Sequence, residues 1–199
     1  STIAITLNNA VKIYQKDTTS ESGWSQIGSD ISGSNPRSVS MSNNGQRIAI
    51  GYSLHDSNRG KVDVYKLDGG NWVPDHGTGI YVFDESSDGY SSVGDNFLGT
   101  ATGDRLGESI SLSGDGNKLA IGSYGHTISN ASNSGQVKVY EFTGTGWYQR
   151  AELLPSGTEG QFGKSVSLSK NGQRLAVGAP NSNGNKSIPA ILDIGSLIA

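Results

Sequence analysis

Three stretches of the chain carry nearly the same residues: RSVSMSNNGQRIAIG at 37–51, ESISLSGDGNKLAIG at 108–122 and KSVSLSKNGQRLAVG at 164–178. Each begins with strict alternation of serine and a large apolar residue, which is the period-two pattern of a β-strand. After a turn that contains Asn-Gly or Asp-Gly, a second short strand follows in which Ala separates two branched residues. Each stretch therefore predicts an antiparallel strand pair with one face of small residues and one of large residues.

The repetition extends outward from these stretches. GKVDVY at 60–65 and GQVKVY at 135–140 predict a third strand, and Trp72 and Trp147 mark a fourth. The first residues match such a unit from its middle, with IAI at 3–5, VKIY at 11–14 and Trp24. Four short antiparallel strands per unit predict an all-β fold, a β-propeller with about three and a half blades.

The repeats divide the chain into four units. We expect a partial blade holding strands 2 to 4 at 1–33, complete blades at 34–102 and 103–157, and a partial blade with a divergent apolar tail at 158–199. The wider spacing between the first two repeats predicts an acidic insertion of about fifteen residues within 73–102. A partial ring leaves open sheet faces, which the remainder of a longer chain or a homo-oligomer would cover.

Composition excludes several classes of function. The 199 residues include 29 Gly and no Cys, and the formal net charge is -3. Lys and Arg are scattered singly, so nucleic acid is not an expected partner. No run of apolar residues is long enough for a membrane span, and thiol catalysis is excluded.

The third repeat carries FG at 162–163 and GAP at 178–180, and in this it resembles the FG-GAP repeat of integrin α-chain propellers and secreted adhesion-type proteins. The first repeat has Pro36-Arg37 instead of FG, and the second has Leu106-Gly107. Calcium-binding members of that family carry several carboxylates in the loop between the first two strands. Here the loops read SNNG, SGDG and SKNG, so the chain resembles a variant of the family that does not bind calcium there.

Two readings stay open for the acidic insertion and for the tryptophans. Asp84, Asp88 and Asp95 could bind Ca²⁺ together with neighbours such as Asp75 and Asp104, or they belong to a solvated loop. No other cofactor is expected. Trp24, Trp72 and Trp147 could form a platform for sugars, but their recurrence at one place in each unit favours a packing role.

The loops after the second strand hold the residues that we expect to bind a partner: Tyr52, His55, Tyr124 and His126, all on one rim. Asn130 and Asn185 stand in N-glycosylation sequons. No nucleophile elbow, phosphate-binding loop or paired-carboxylate motif is present, so we do not expect an enzyme.

The sequence therefore predicts a non-catalytic binding or adhesion module of a secreted or cell-surface protein, in an extracellular setting, that contacts protein or glycan through its blade loops. One alternative is a structural subunit or segment of a large assembly. A propeller-type hydrolase is the other alternative, and fold alone supports it.

Overall fold

The computed structural model describes residues 1–77, 80–84, 89–94, 97–129, 131–155, 160–180 and 190–195, with only the backbone described at 80–84 and 89–94. These residues form an all-β structure with one short turn, α1 (His55–Asn58), in which Asp56 and Ser57 do not have right-handed helical backbone angles. Within the described ranges there is no helix long and apolar enough to cross a membrane.

The strands form four sheets, which we call the first to the fourth sheet in chain order. The first contains β1 (Thr2–Thr6), β2 (Ala10–Lys16), β3 (Trp24–Gln26) and β4 (Ile31–Ser32). The second contains β5 (Ser38–Met41), β6 (Arg47–Tyr52), β7 (Lys61–Asp68), β8 (Asn71–Pro74) and β11 (Phe97–Leu98). The third contains β9 (Ile80–Asp84), β10 (Gly89–Gly94), β12 (Ser109–Leu112), β13 (Lys118–Gly122), β14 (Val137–Phe142) and β15 (Trp147–Leu153). The fourth contains β16 (Ser165–Leu168), β17 (Arg174–Gly178) and β18 (Ala190–Asp193).

The three sequence repeats fold as the predicted antiparallel hairpins, β5–β6, β12–β13 and β16–β17. Their turns share one set of hydrogen bonds, in which a serine hydroxyl accepts the backbone N–H of the residue five positions later. Ser113 Oγ accepts from Lys118 N at 3.0 Å and donates to Asp115 Oδ1 at 2.5 Å. Asn44 and Asn171 take the place of Asp115 in the other two turns. The single turn carboxylate therefore closes a hairpin, as the asparagines do.

Successive sheets pack a face of large residues against a face of small ones. Ile48 and Ile50 of the second sheet form one buried cluster with Val11 and Ile13 of the first. The same arrangement recurs twice, where Leu119 and Ile121 meet Val62 and Val64, and where Leu175 and Val177 meet Val137 and Val139. Ala at the centre of each second strand leaves room for the neighbour's branched side chains. The alternation of small and large residues in the repeats therefore determines how successive sheets pack together.

Serine and glycine fix the register between neighbouring sheets. Ser38 Oγ donates to Gly107 O at 2.7 Å, and Ser109 Oγ donates to Gly163 O at 2.8 Å. Ser40 Oγ accepts the N–H of Leu112 at 2.8 Å, and Ser111 Oγ accepts that of Leu168 at 2.9 Å, on the next sheet in each case. Gly51 and Gly122 have no Cβ, so the carbonyls of Gly107 and Gly163 on the next sheet can approach them closely. The first two repeats thus each present two hydroxyls to the next sheet.

The tryptophans support the packing role. Trp147 is fully buried, and its indole Nε1 donates to Asp75 O of the second sheet at 2.9 Å. Trp72 Nε1 donates in the same way to Ile27 O of the first sheet at 3.0 Å. Each indole therefore joins its own sheet to the preceding one, which leaves no open platform for a sugar at Trp147.

The insertion is built into the third sheet. The hairpin of β9 and β10 lies within 73–102, and β9 pairs in parallel with β15, Trp147 opposite Ile80. The chain then returns to the second sheet, where β11 pairs with β7 next to the point at which β8 ends. The outer strand of the second sheet is thus split into β8 and β11, and β15 has a register shift at the corresponding place. An insertion at this irregularity leaves the inner strands undisturbed.

Candidate binding surface

Charged side chains gather at the end of the array where the first strand of each repeat begins and the second strand ends. We call this surface the charged rim and define it by these residues: Arg37, Ser53, Arg105, Glu108, Tyr124 and Lys164. Arg37, Glu108 and Lys164 occupy the same first position in the three repeats, directly before β5, β12 and β16. The fold therefore brings together at one end the first position of the repeat, which changes from Arg to Glu to Lys.

Glu108 links three sheets on this rim. Ser53 Oγ of the second sheet donates to Glu108 Oε2 at 2.6 Å, and Lys164 Nζ of the fourth donates to Oε1 at 3.1 Å. Burial disfavours the carboxylate, but these hydrogen bonds and the charges of Lys164 and Arg105 outweigh it, so the pKa of Glu108 lies below its ordinary value. Glu108 is therefore ionised, and both of its carboxylate oxygens are hydrogen-bonded within the protein.

Tyr124 holds two cations at the rim. Lys164 Nζ lies 3.7 Å from the centroid of its ring, and the guanidinium carbon of Arg105 lies 5.5 Å from it. The ring itself is 8% exposed. Each cation–π contact contributes about 0.5–2 kcal/mol, depending on exposure. Tyr124 is therefore a support that fixes the positions of the two cations.

A strained loop borders these cations. Asp56, Ser57 and Asn58 have φ values of 47°, 55° and 65°, and Arg105 has 55°. Side chains other than glycine rarely adopt this left-handed conformation, yet a left-handed pair recurs at the next junction, where Asn133 and Gln161 have φ values of 57° and 62°. Arg105 N donates to Asn58 O at 2.8 Å, so the two strained segments are joined. His55 begins the loop and is exposed.

The other predicted histidine has a structural contact. His126 Nδ1 lies 3.2 Å from Asp104 Oδ1, and that carboxylate is 3% exposed. Asp104 also accepts hydrogen bonds from Thr100 N, Thr100 Oγ1 and Ala101 N. Burial again opposes ionisation, yet the bonds from Thr100, Ala101 and His126 hold the pKa of Asp104 below its ordinary value. Asp104 thus anchors the chain segment that leads to Arg105.

The prediction that Tyr52 belongs to the loop after the second strand is wrong. Strand β6 continues through Tyr52, which pairs with Lys61, and the side chain is 2% exposed in the cluster between the first and second sheets. Burial raises the pKa of its hydroxyl far above the ordinary range. Gly33 allows the ring to enter, because a Cβ there would lie 2.4 Å from the Tyr52 hydroxyl. Tyr124 does lie in the turn after β13, where it is largely buried beneath its cations.

Arg105, Glu108 and Lys164 were not among the residues singled out from the sequence. A usable signal was present, since the first position of the repeats changes from Arg to Glu to Lys while the following serine stays constant. A charge that varies within a conserved packing pattern indicates a solvent-facing position that packing does not determine.

The residues expected to bind a metal in the acidic insertion have no described side chains. Asp88 and Asp95 lie outside the described residues, and of Asp84 only the backbone is described. Two expected neighbours are engaged elsewhere: Asp75 pairs with Arg47, and Asp104 with His126. Among described side chains, no group of three or more His, Asp or Glu is arranged to hold a metal. Asn130 and Asn185 also lie outside the described residues.

A second concave region of about 820 Å³ lies at the opposite end of the inner strands, lined by Gly114, Asp115, Ser169, Lys170 and Asn171. Its polar side chains are already used within the hairpin turns, where Ser169 Oγ donates to Asn171 Oδ1 at 2.7 Å. The charged rim is the better candidate because it holds two cations, Arg105 and Lys164, against one aromatic ring.

No protein-family model matches the chain, and no curated protein matches its sequence. Solved structures do share its fold. Sqt1 from Chaetomium thermophilum, solved in complex with the N-terminus of the ribosomal protein L10, has a TM-score of 0.57 at 18% identity and is matched over 100% of this chain and 44% of its own. Hydrazine synthase from Kuenenia stuttgartiensis has a TM-score of 0.55 at 16% identity, over 96% of this chain and 48% of its own. This chain thus spans less than half the length of either neighbour, and its fold is that of an all-β propeller.

Proposed function

We propose that this chain is a protein-binding β-propeller module that holds a segment of its partner on the charged rim. The observation that carries the proposal is the pair of cations, Arg105 and Lys164, that Tyr124 holds at the charged rim.

The chemistry of the rim favours a partner segment that carries carboxylates. Glu108 is paired with Lys164 and accepts a hydrogen bond from Ser53. Arg37 is exposed, and Arg105 lies over the Tyr124 ring, where its charge also favours the Glu108 carboxylate. Guanidinium groups bind carboxylates in a two-pronged geometry. The Sqt1 structure, in which a propeller is bound to the N-terminus of another protein, supports a peptide segment as the partner.

The wider setting is part of the same proposal. The resemblance to FG-GAP repeats supports a non-catalytic adhesion module in an extracellular or cell-surface protein, with protein or glycan as ligand. Ca²⁺ enters this proposal only through the acidic insertion at Asp84, Asp88 and Asp95. Between protein and glycan, the charged rim favours protein, because neutral sugars are bound mainly by exposed aromatic faces and Tyr124 is covered.

The test is a selection of random linear peptides displayed on phage against the chain, followed by binding measurements on the enriched peptides. We expect peptides rich in Asp and Glu, and at least a tenfold loss of affinity for the double variant Arg105→Ala with Lys164→Ala, because two charge-assisted contacts are removed. Lys170→Ala, an exposed lysine at the opposite end, is the matched control and should bind normally.

Thermal unfolding of each variant separates lost binding from lost folding. Enriched peptides that bind the double variant as well as the native chain would rule out the charged rim. A panel of immobilised glycans, probed with the same three proteins, tests the alternative ligand class. Glycan binding that is insensitive to the double variant would replace the proposal with a glycan module.

A further inference from the structure

The two outermost sheet faces of this array are the two halves of its own repeated interface. In each of the first three sheets, the central Ala of the second strand pairs with a branched residue of the third strand. The large residues on the second strand of the next sheet cover that branched residue. Ile13, Val64 and Val139 are these covered residues, opposite Ala4, Ala49 and Ala120, and all three have 0% exposure.

The small-residue face of the fourth sheet has the same elements without a cover. Ile191 pairs with Ala176 and is the equivalent of Val139, yet it is 75% exposed. Ser165 and Ser167 are exposed, while the equivalent serines in the other repeats are half-buried and bonded to the next sheet. At Gly178 no backbone carbonyl from another sheet approaches, in contrast to Gly122.

The large-residue face of the first sheet is the other half. Ile3 and Ile5 of β1 are 39% and 44% exposed, whereas their equivalents Ile48 and Ile50 are fully buried against a preceding sheet. Trp24 stands where Trp72 and Trp147 stand, and those indoles donate to the carbonyl of a preceding sheet. This face therefore offers the large residues and the indole donor of the repeated interface, although the first sheet has no described counterpart of the first strands that bond to serines at the internal junctions.

We propose that the exposed face of the fourth sheet in one copy of this chain binds the exposed face of the first sheet in a second copy, at both ends, so that two copies close into one ring. A head-to-tail contact between unlike faces forms a closed ring when the rotations between successive copies add up to a full turn. Two copies would supply eight sheets, from four in each. Since this chain spans 44% of the Sqt1 chain, two copies also supply about the length of one such propeller.

The experiment is the solution mass of the 199-residue chain by light scattering. The proposal requires about 42 kDa, twice the 20.8 kDa of one chain. Ile191→Asp and Ile5→Asp place a charge on opposite faces at residues that are exposed in a single copy, so each should fold normally and halve the mass. Leu154→Asp is the matched control, because Leu154 is 49% exposed directly after β15 of the third sheet, away from the two outermost faces, and should leave the mass unchanged.

Both single variants must dissociate, because the two faces contribute to every contact of a head-to-tail ring. A mixture of the two variants restores one of two contacts and should regain part of the doubled mass. A native chain with the mass of one copy would overturn the proposal and point to sheets of another polypeptide as the cover. A mass that rises steadily with concentration would mean an open string of copies and would overturn the closed ring.

Discussion

Gly122→Ala should destabilise the protein strongly, whereas Gly178→Ala at the equivalent position should not. A Cβ on Gly122 would lie 2.0 Å from the backbone oxygen of Gly163 on the fourth sheet and 2.4 Å from Ser109 Oγ. A Cβ on Gly178 would lie 2.3 Å from Ser165 Oγ, a side-chain atom that can rotate away, with no backbone oxygen of another sheet nearby. The pair therefore isolates the effect of the approaching carbonyl.

The magnitude follows from the distance that must be opened. Since carbon atoms and their neighbours ordinarily stay about 3.5 Å apart, the fourth sheet would have to move by more than about 1 Å. Overpacking of this kind costs about 1–3 kcal/mol, and loss of the hydrogen bond from Ser109 to Gly163 adds about 1 kcal/mol. We expect Gly122→Ala to lower the free energy of unfolding by about 3 kcal/mol and Tm by about 10 °C.

The control should move in the opposite direction or not at all. Gly178 has no positive φ, so alanine fits its backbone, and restriction of the unfolded chain contributes about 0.4–1 kcal/mol of stability. Urea denaturation followed by tryptophan fluorescence and by circular dichroism measures both variants. Equal losses in the two variants, or a loss below about 1 kcal/mol in Gly122→Ala, would refute the proposed role of the glycine between sheets.

Two further predictions concern the indole contacts and the acid groups. Trp147→Phe should lower the free energy of unfolding by about 2–3 kcal/mol, because it leaves the buried Asp75 carbonyl without its hydrogen-bond donor. Trp24→Phe should lower it by less than about 1 kcal/mol. Similar losses for the two variants in a denaturation assay would contradict this prediction. The folded pKa values of Asp104 and Glu108 lie below their ordinary 3.8 and 4.5, so their stabilisation is present at neutral pH and lost as acidification passes these values and protonates them. Unfolding midpoints measured across pH should therefore fall below about pH 4.5, less steeply in Asp104→Asn, and a midpoint that rises on acidification would oppose it.

The architecture could be predicted from the sequence because its information is local and repeated. Alternation of serine with large residues defines the strand, and Ala between branched residues in the second strand identifies which face must accept a neighbour. The same alternation, read across repeats, predicts the packing of Ile121 onto Val64 without any knowledge of the turn geometry.

The charged rim and the pairing of the β9–β10 hairpin with β15 could not be predicted in the same way, because both depend on contacts between residues distant in sequence. The sequence Gly51-Tyr52-Ser53 has the composition of a loop, but β6 continues through Tyr52 because Lys61 is available as a pairing partner. The pairing of β9 with β15 joins residues far apart in the chain, and no periodicity in either segment encodes it. The role of Tyr124 depends on its contacts with two cations, which come from different parts of the chain.

The central claim is that one interface is repeated between successive sheets. Hydrogen exchange at three equivalent backbone amides tests this claim most directly. The N–H groups of Leu112 and Leu168 lie on the first strand of their sheets and donate to Ser40 and Ser111 of the preceding sheet. Met41 is the equivalent residue of the second sheet, and the first sheet has no corresponding serine among its described strands. We predict that the Leu112 and Leu168 amides exchange at least about tenfold more slowly than that of Met41, as expected for one added hydrogen bond. Equal exchange at all three amides would contradict the repeated interface.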